Sequence, residues 1–215
     1  MVRGPLDALN ARLPEWGGMR LPHPGMGVAR DAPYRAATPH GAIDMTNRAA
    51  YQTLAADGLR ALGTVYSYVA TSGLEKPLLD LVYLRASQMN GCAFCIDAHS
   101  ADARKDGASA EKLALLSVWR EGGGLFSERE RAALAWTESV TFVAQGHASD
   151  ADYAAVARAL TEKEVTDLTL AIGVINTYNR LAIGFRRPPE SVLRAEREAR
   201  AGSPSSDAAT PLTAR

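Results

Sequence analysis

Apolar residues recur every three to four positions through the middle of the chain, which is the spacing of one face of an α-helix. The pattern runs through residues 41–187, where Pro77 is the only proline. No stretch there sustains the alternation of apolar and polar residues that a half-buried strand requires. The sequence therefore predicts an all-α fold with about six core helices in one domain.

Capping and turn residues give these helices their bounds. Ser127 with Glu130 and Thr161 with Glu164 each form the Ser/Thr-x-x-Glu pattern of a capping box. Asn90-Gly91 is a helix-ending pair. The predicted helices cover residues 45–71, 75–89, 92–105, 109–119, 127–145 and 161–185, with a shorter one beginning at 149.

The two ends of the chain differ from its middle. Six of the eleven prolines fall within residues 1–40, a density that prevents regular helix. We expect a Pro-rich N-terminal extension over 1–40 and the helical domain over 41–189. The tail, residues 190–215, is expected to be mostly disordered, with a short helix at about 190–200.

The overall composition is that of an ordinary globular protein and excludes several classes of partner. Hydrophobic residues make up 47%, charged residues 22%, and the formal net charge is zero. A balanced charge does not favour nucleic acid or an anionic membrane as a partner. No apolar run approaches the ~18 residues of a membrane span, and the first residues lack the apolar core of a signal peptide. These features predict a cytoplasmic protein.

The only two cysteines lie in the stretch NGCAFCIDAH, residues 90–99. At the start of a helix, Cys92 and Cys95 share a face one turn apart. Helix geometry separates their Cα atoms by roughly 5 Å, within the ~4.4–6.8 Å that a disulfide requires. Amide groups at the helix start favour a thiolate over a thiol. The spacing predicts a pair that interconverts between dithiol and disulfide.

A histidine and an acidic residue complete the candidate site. His99 is four residues after Cys95, so its imidazole can accept the thiol proton. Asp80, on the preceding helix, is the candidate for orienting His99, with its carboxylate placed either at His99 or at a water that bridges to a thiol. Cys92, Cys95, His99 and Asp80 are also a possible set of four zinc ligands, and two buried, inert cysteines are a third interpretation.

The stretch LLDLVYLRASQMNGCAFCIDAHSADARKDG, residues 78–107, resembles the carboxymuconolactone decarboxylase-like family, and within it the alkylhydroperoxidase D-like branch. That branch carries Glu, eleven residues, Cys-x-x-Cys, three residues, then His. The chain has this pattern except that Asp80 stands in place of the glutamate, so its carboxylate is one methylene shorter. Residues 126–141 and 160–189 are similar to the same family, and the resemblance covers roughly 41–189.

The resemblance implies an alkylhydroperoxidase D-like all-α fold, a homo-oligomer (a trimer or a hexamer), and thiol peroxidase activity on a hydroperoxide, without metal or cofactor. In that scheme Cys95 attacks the peroxide and Cys92 resolves the sulfenic acid to a disulfide. A dithiol, such as a lipoyl group on a partner protein, reduces the pair again, and His99 with Asp80 forms a proton relay. The helix start alone favours Cys92 as nucleophile, whereas His99 and the family pattern favour Cys95. Decarboxylase members generally lack the cysteine pair, so lactone chemistry is not expected.

Two alternatives to a peroxidase stay open from the sequence. One is a thiol-disulfide exchanger or redox sensor without peroxide turnover, and the other is a zinc-stabilised helical module. Polar residues in the apolar last core helix, Asn176, Tyr178 and Asn179, need partners. They are expected to contact the site, to cap the Asn90-Gly91 turn or to face another subunit.

Overall fold

The computed structural model describes residues 48–202, and within this range the chain forms ten α-helices and no strand. The all-α prediction is confirmed. Two short 3-10 segments, Leu116–Glu121 and Gly123–Leu125, follow the fifth helix. The helices are α1 (Tyr51–Leu54), α2 (Ala56–Ala70), α3 (Lys76–Asn90), α4 (Ala93–Lys105), α5 (Ala110–Leu115), α6 (Glu128–Thr141), α7 (Val143–Gly146), α8 (Asp150–Ala157), α9 (Glu162–Gly184) and α10 (Glu190–Gly202).

Three predicted helices are interrupted in the structure. The first is divided into α1 and α2 at Ala55, whose backbone leaves helical geometry at φ −120° and ψ 35°. Phe142, at φ −101° and ψ 36°, separates α6 from α7 in the same way. The helix predicted over 109–119 is α-helical only to the end of α5 and continues as a 3-10 segment, in which the side chains of Leu116 and Trp119 are buried in the core. The predicted extension over 1–40 and the end of the tail from residue 203 lie outside the described residues.

Helix α3 is the centre of the fold and packs against α4, α6 and α9. A run of its side chains from Leu78 to Leu84 is buried without a break. A helix that is apolar around most of its circumference must be covered on several sides. The neighbours of α3 supply that cover, and the main core cluster joins it to α9 through residues such as Val82, Leu168 and Ile172.

The predicted caps form as the sequence indicates. Ser127 and Thr161 each accept a hydrogen bond from a backbone N–H three residues on. Glu130 and Glu164 accept bonds from the N–H groups of those two cap residues, which completes both capping boxes. The short helix predicted near 190–200 is α10, which packs against α4. It begins with the N–H of Ser191 donating to Asp97 Oδ2 at 3.0 Å.

Candidate active site

The turn between α3 and α4 places both cysteines. Gly91 adopts a left-handed conformation with φ 69°, and its N–H donates to the carbonyl of Gln88. The N–H of Cys92 donates to the carbonyl of Ser87 at 3.0 Å. These two bonds satisfy carbonyls at the end of α3 and reverse the chain into α4. The Asn90-Gly91 break is therefore a helix end, as predicted.

Cys92 and Cys95 are joined as a disulfide across the first turn of α4. Cys92 is the N-cap of α4, and its Sγ accepts a hydrogen bond from the N–H of Cys95 at 3.3 Å. The two Cα atoms are 5.3 Å apart, close to the separation expected from helix spacing. Both residues are buried in a small cluster with Ala182 of α9.

An amide cluster locks the turn to α9. Asn90 Nδ2 donates to the side-chain oxygens of Asn176 and Asn179, both at 2.9 Å. Asn179 Nδ2 in turn donates to Ser87 Oγ at 3.0 Å, and Asn176 Nδ2 donates to Thr141 Oγ1 at 3.1 Å. The asparagines of α9 therefore bond the side chain of Asn90 at the turn, which is near the capping role among the three considered.

Cys95 borders a cavity of about 290 Å³, whereas Cys92 is not among the residues that line it. His99 lies on the same wall, one turn further along α4. The remaining lining is mostly aromatic or aliphatic and comes from several helices. The lining residues are Tyr51, Tyr66, Phe94, Cys95, Ala98, His99, Ile175, Tyr178, Ala182 and Arg187. A small apolar molecule in this cavity would lie beside Cys95 and not beside Cys92.

His99 is mostly buried, and burial lowers the pKa of its imidazole to about 4. Its ring packs against the Tyr83 ring at a centroid distance of 5.3 Å. Its Nδ1 is buried without a hydrogen-bond partner among the described residues. The carboxylate closest to it is that of Asp102, with Oδ2 at 3.9 Å from Nδ1. The imidazole is therefore neutral at physiological pH in this state and can accept a proton.

Asp80 is buried but is not brought into contact with His99. Both of its carboxylate oxygens accept hydrogen bonds from Lys76 Nζ, at 3.1 and 3.0 Å. Lys76 also pairs with Asp106. Burial raises the pKa of Asp80 to about 6, with a further contribution from Asp106. Asp80 lines a separate cavity between α3, the end of α4 and α5.

Two tyrosines, Tyr83 and Tyr66, lie in the region of His99 and Asp80. Tyr83 touches His99, and Tyr66 stacks on Tyr83 at a centroid distance of 5.4 Å. Burial raises the pKa of both hydroxyls, and the charge of Asp80 raises each of them further. The charge of Asp80 is therefore felt by two tyrosines, one of which contacts His99, while Asp80 itself does not contact His99.

Several residues of the cavity or beside His99 were not singled out from the sequence. Asp102 could have been found, because it is three residues after His99 on the same helix. Tyr66, Phe94 and Arg187 had no such signal, since α2, α4 and the residues after α9 meet only in the folded chain.

A metal site and a membrane span are both absent from the described part of the chain. Between residues 48 and 202, no group of three or more His, Cys, Asp or Glu side chains is arranged to hold a metal ion. The zinc arrangement considered for Cys92, Cys95, His99 and Asp80 is not formed there. No helix within the same range is long and apolar enough to cross a membrane.

Comparison with known proteins agrees with this fold. The model of the carboxymuconolactone decarboxylase family matches residues 56–139. The uncharacterized protein YdfG of Bacillus subtilis is 35% identical over 141 residues, which span 66% of this chain and 95% of that protein. The chain belongs to the carboxymuconolactone decarboxylase family.

Two further similarities lie in the AhpD-like part of this family. One is the crystal structure of an Agrobacterium tumefaciens protein of unknown function, for which the name antioxidant defence protein AhpD has been suggested. It is 40% identical with a TM-score of 0.64, and the match covers 67% of this chain and 98% of that one. The other is the alkyl hydroperoxide reductase AhpD of Hyphomonas neptunium, 40% identical over 45 residues, or 21% of this chain and 25% of that protein.

Proposed function

We propose that the protein is a thiol-dependent peroxidase that reduces hydroperoxides through a Cys92–Cys95 disulfide. The observation that carries this proposal is the position of Cys95, which borders an apolar cavity together with His99. Cys92 lies behind it at disulfide distance. The antioxidant and hydroperoxide reductase names of two similar proteins support the same chemistry.

The proposed cycle has three balanced steps. The Cys95 thiolate attacks the terminal oxygen of ROOH, the O–O bond breaks, and the products are a Cys95 sulfenic acid and ROH once the alkoxide has taken a proton. The Cys92 thiol then displaces the hydroxyl of the sulfenic acid, which forms the disulfide and releases water. A dithiol, such as a lipoyl group, reduces the disulfide and is itself oxidised to a disulfide.

His99 is the proposed base that takes the proton of Cys95 and returns it to the leaving alkoxide. The low pKa of the His99 imidazole is that of the oxidised protein, in which Cys95 is part of the disulfide and no thiolate lies beside the ring. In the reduced state, a thiolate one turn away would favour the imidazolium. Asp80 is the more distant member of this relay, because Lys76 and Asp106 are its direct partners. It acts through the Tyr66 and Tyr83 pair or through bridging water.

The setting that we propose is cytoplasmic, because a reducing compartment allows the disulfide to be reopened in each cycle. We also propose a homo-oligomer, a trimer or a hexamer, as the resemblance implied. Large apolar side chains remain exposed on the described surface, among them Leu54, Phe142, Val143 and Leu170. Burying them between subunits would be favourable, and analytical ultracentrifugation would give the subunit number.

The test is the consumption of tert-butyl hydroperoxide by the dithiol-reduced protein, compared with Cys95→Ser and Cys92→Ser. We expect multiple turnovers that both variants lose. Cys92→Ser should still react once and leave a sulfenic acid on Cys95 that dimedone labels. If the wild type consumes peroxide no faster than the variants while its disulfide still exchanges with dithiols, the peroxidase proposal is wrong and a thiol-disulfide exchanger replaces it.

A further inference from the structure

Arg187 brings a permanent positive charge to a cavity that is otherwise apolar and aromatic. The cavity beside Cys95 is lined by three tyrosines, Phe94 and aliphatic side chains, with His99 and Arg187 as its basic groups. In the oxidised protein burial lowers the pKa of His99 to about 4, so Arg187 is the charged side chain of this lining at neutral pH, and a guanidinium keeps its charge in the reduced protein as well. The cavity therefore offers an apolar space with one cation on its wall.

The backbone around Arg187 is held on both sides. Its N–H donates to the carbonyl of Ala182 at 2.9 Å, which ends α9. Two prolines follow and restrict the chain before α10. The start of α10 is tied to α4 through the bond from Ser191 N–H to Asp97. The segment between α9 and α10 therefore has little conformational freedom, and it places Arg187 against α4.

The guanidinium of Arg187 stacks on Phe94, with its central carbon 3.8 Å from the ring centroid. Phe94 is one of the two residues between the cysteines, so the charge lies beside the reactive pair. Among the described residues, no carboxylate lies within ion-pair distance of Arg187. The carboxylate of Asp97, three residues after Phe94, instead accepts a hydrogen bond from the N–H of Ser191. The guanidinium keeps its fork of N–H donors available to a ligand.

We propose that Arg187 is a specificity-determining residue that selects hydroperoxides carrying a carboxylate. The aromatic walls take the hydrocarbon body, the guanidinium binds the carboxylate in the bidentate manner that its geometry favours, and the peroxide reaches Cys95. At about 290 Å³, the cavity is near the small end of ligand sites, about 300–1,000 Å³, so the body is compact. The carboxylate takes no part in the reaction, in which ROOH is reduced to ROH as above. This inference rests on the proposed peroxidase function.

The test uses cumene hydroperoxide bearing a para-carboxylate and the methyl ester of the same compound. The readout is the ratio of kcat/KM for the acid to that for the ester. A charge-assisted pair at a partly exposed position predicts a ratio on the order of tenfold in favour of the acid at low salt. In Arg187→Gln the ratio should fall to about one, and Arg187→Lys should restore part of it. Arg197→Gln, the same loss of charge at an exposed position of α10 outside the lining of this cavity, is the matched control and should keep the wild-type ratio.

A second readout separates this inference from the peroxidase proposal. In the Cys92→Ser background, the alkylation rates of Cys95 by iodoacetate, which is anionic, and by iodoacetamide, which is neutral, are compared. Arg187→Gln should slow iodoacetate severalfold more than iodoacetamide, whether or not the protein turns over peroxide. Equal slowing of both reagents would mean that Arg187 acts on the thiolate itself, and no slowing would mean that it does not bind anions. Either of those results, or an acid-to-ester ratio that Arg187→Gln leaves unchanged, overturns the inference.

Discussion

Replacing His99 by glutamine should change how the stability of the oxidised protein depends on pH. Burial holds the pKa of folded His99 near 4, against an ordinary value of 6.5. At a pH between these two pKa values, His99 is protonated in the unfolded chain and neutral in the folded chain. The wild type therefore loses stability as the pH falls from about 6.5 to about 4, and glutamine, which does not titrate, removes this loss.

The magnitude follows from the separation of the two pKa values. A gap of roughly 2.5 units at 1.36 kcal/mol per unit gives about 3 kcal/mol when the full window is crossed. At about pH 5 the expected loss is about 2 kcal/mol relative to neutral pH. The substitution also removes the contact with Tyr83, but that cost is the same at every pH and leaves the slope unaffected.

The assay is urea unfolding of the wild type and His99→Gln with the disulfide intact, from about pH 4.5 to neutral pH. The free energy of unfolding of the wild type minus that of the variant should rise with pH and level off above about 6.5. Asp80→Asn supplies a control of opposite sign, because burial raises the pKa of Asp80 from 3.8 to about 6. There the difference should fall as the pH rises from about 4 to about 6. A His99 difference that stays constant within about 0.5 kcal/mol would refute the reasoning.

The turn that positions the cysteines provides two further predictions, both measured by urea unfolding at neutral pH. Gly91→Ala should cost roughly 1–2 kcal/mol, because φ is 69° there and an added Cβ meets nothing within 4 Å, so the cost is purely that of the left-handed backbone. Its matched control is Gly63→Ala inside α2, where an added Cβ also meets nothing within 4 Å. This variant should stabilise the protein by roughly 0.5–1 kcal/mol. If both variants change the free energy of unfolding in the same direction, this account is wrong. Asn90→Ala should cost about 2–4 kcal/mol, because it removes the shared donor to Asn176 and Asn179. It should also speed reduction of the disulfide by dithiothreitol, and an unchanged rate would show that the amide cluster does not hold the turn.

The parts of the site that could be predicted from the sequence are those that one helix start determines. Cys92, Cys95 and His99 fall within two turns of α4, so helix geometry alone brings them together. The turn at Gly91 could also be predicted, because helices commonly end with a glycine in the left-handed conformation. The capping boxes of α6 and α9 were predicted for the same reason.

The expected contact between Asp80 and His99 depended on how α3 packs against α4, which no local pattern encodes. Asp80 had a competing partner in Lys76, four residues earlier on its own helix, and a lysine at that spacing is a ready ion-pair partner. In the structure this local pair forms, and the carboxylate lines a different cavity from the one beside Cys95. The sequence shows that the asparagines of α9 need hydrogen-bond partners. Which of the three predicted roles they take depends on how α9 packs against the turn, and no local pattern gives that packing.

The reactive pair and the opposite wall of its cavity come from different parts of the chain. Cys92, Cys95 and His99 lie inside the segment that matches the family model, residues 56–139. Tyr178, Ala182 and Arg187 lie beyond it, on α9 and the connection to α10. Substitutions in that second segment can change the shape and charge of the cavity without altering the geometry of the α3–α4 turn. The two proposals together therefore predict that thiol chemistry and substrate choice can be changed separately. Arg187→Gln should change which peroxide is preferred, whereas Cys95→Ser should abolish turnover of all of them.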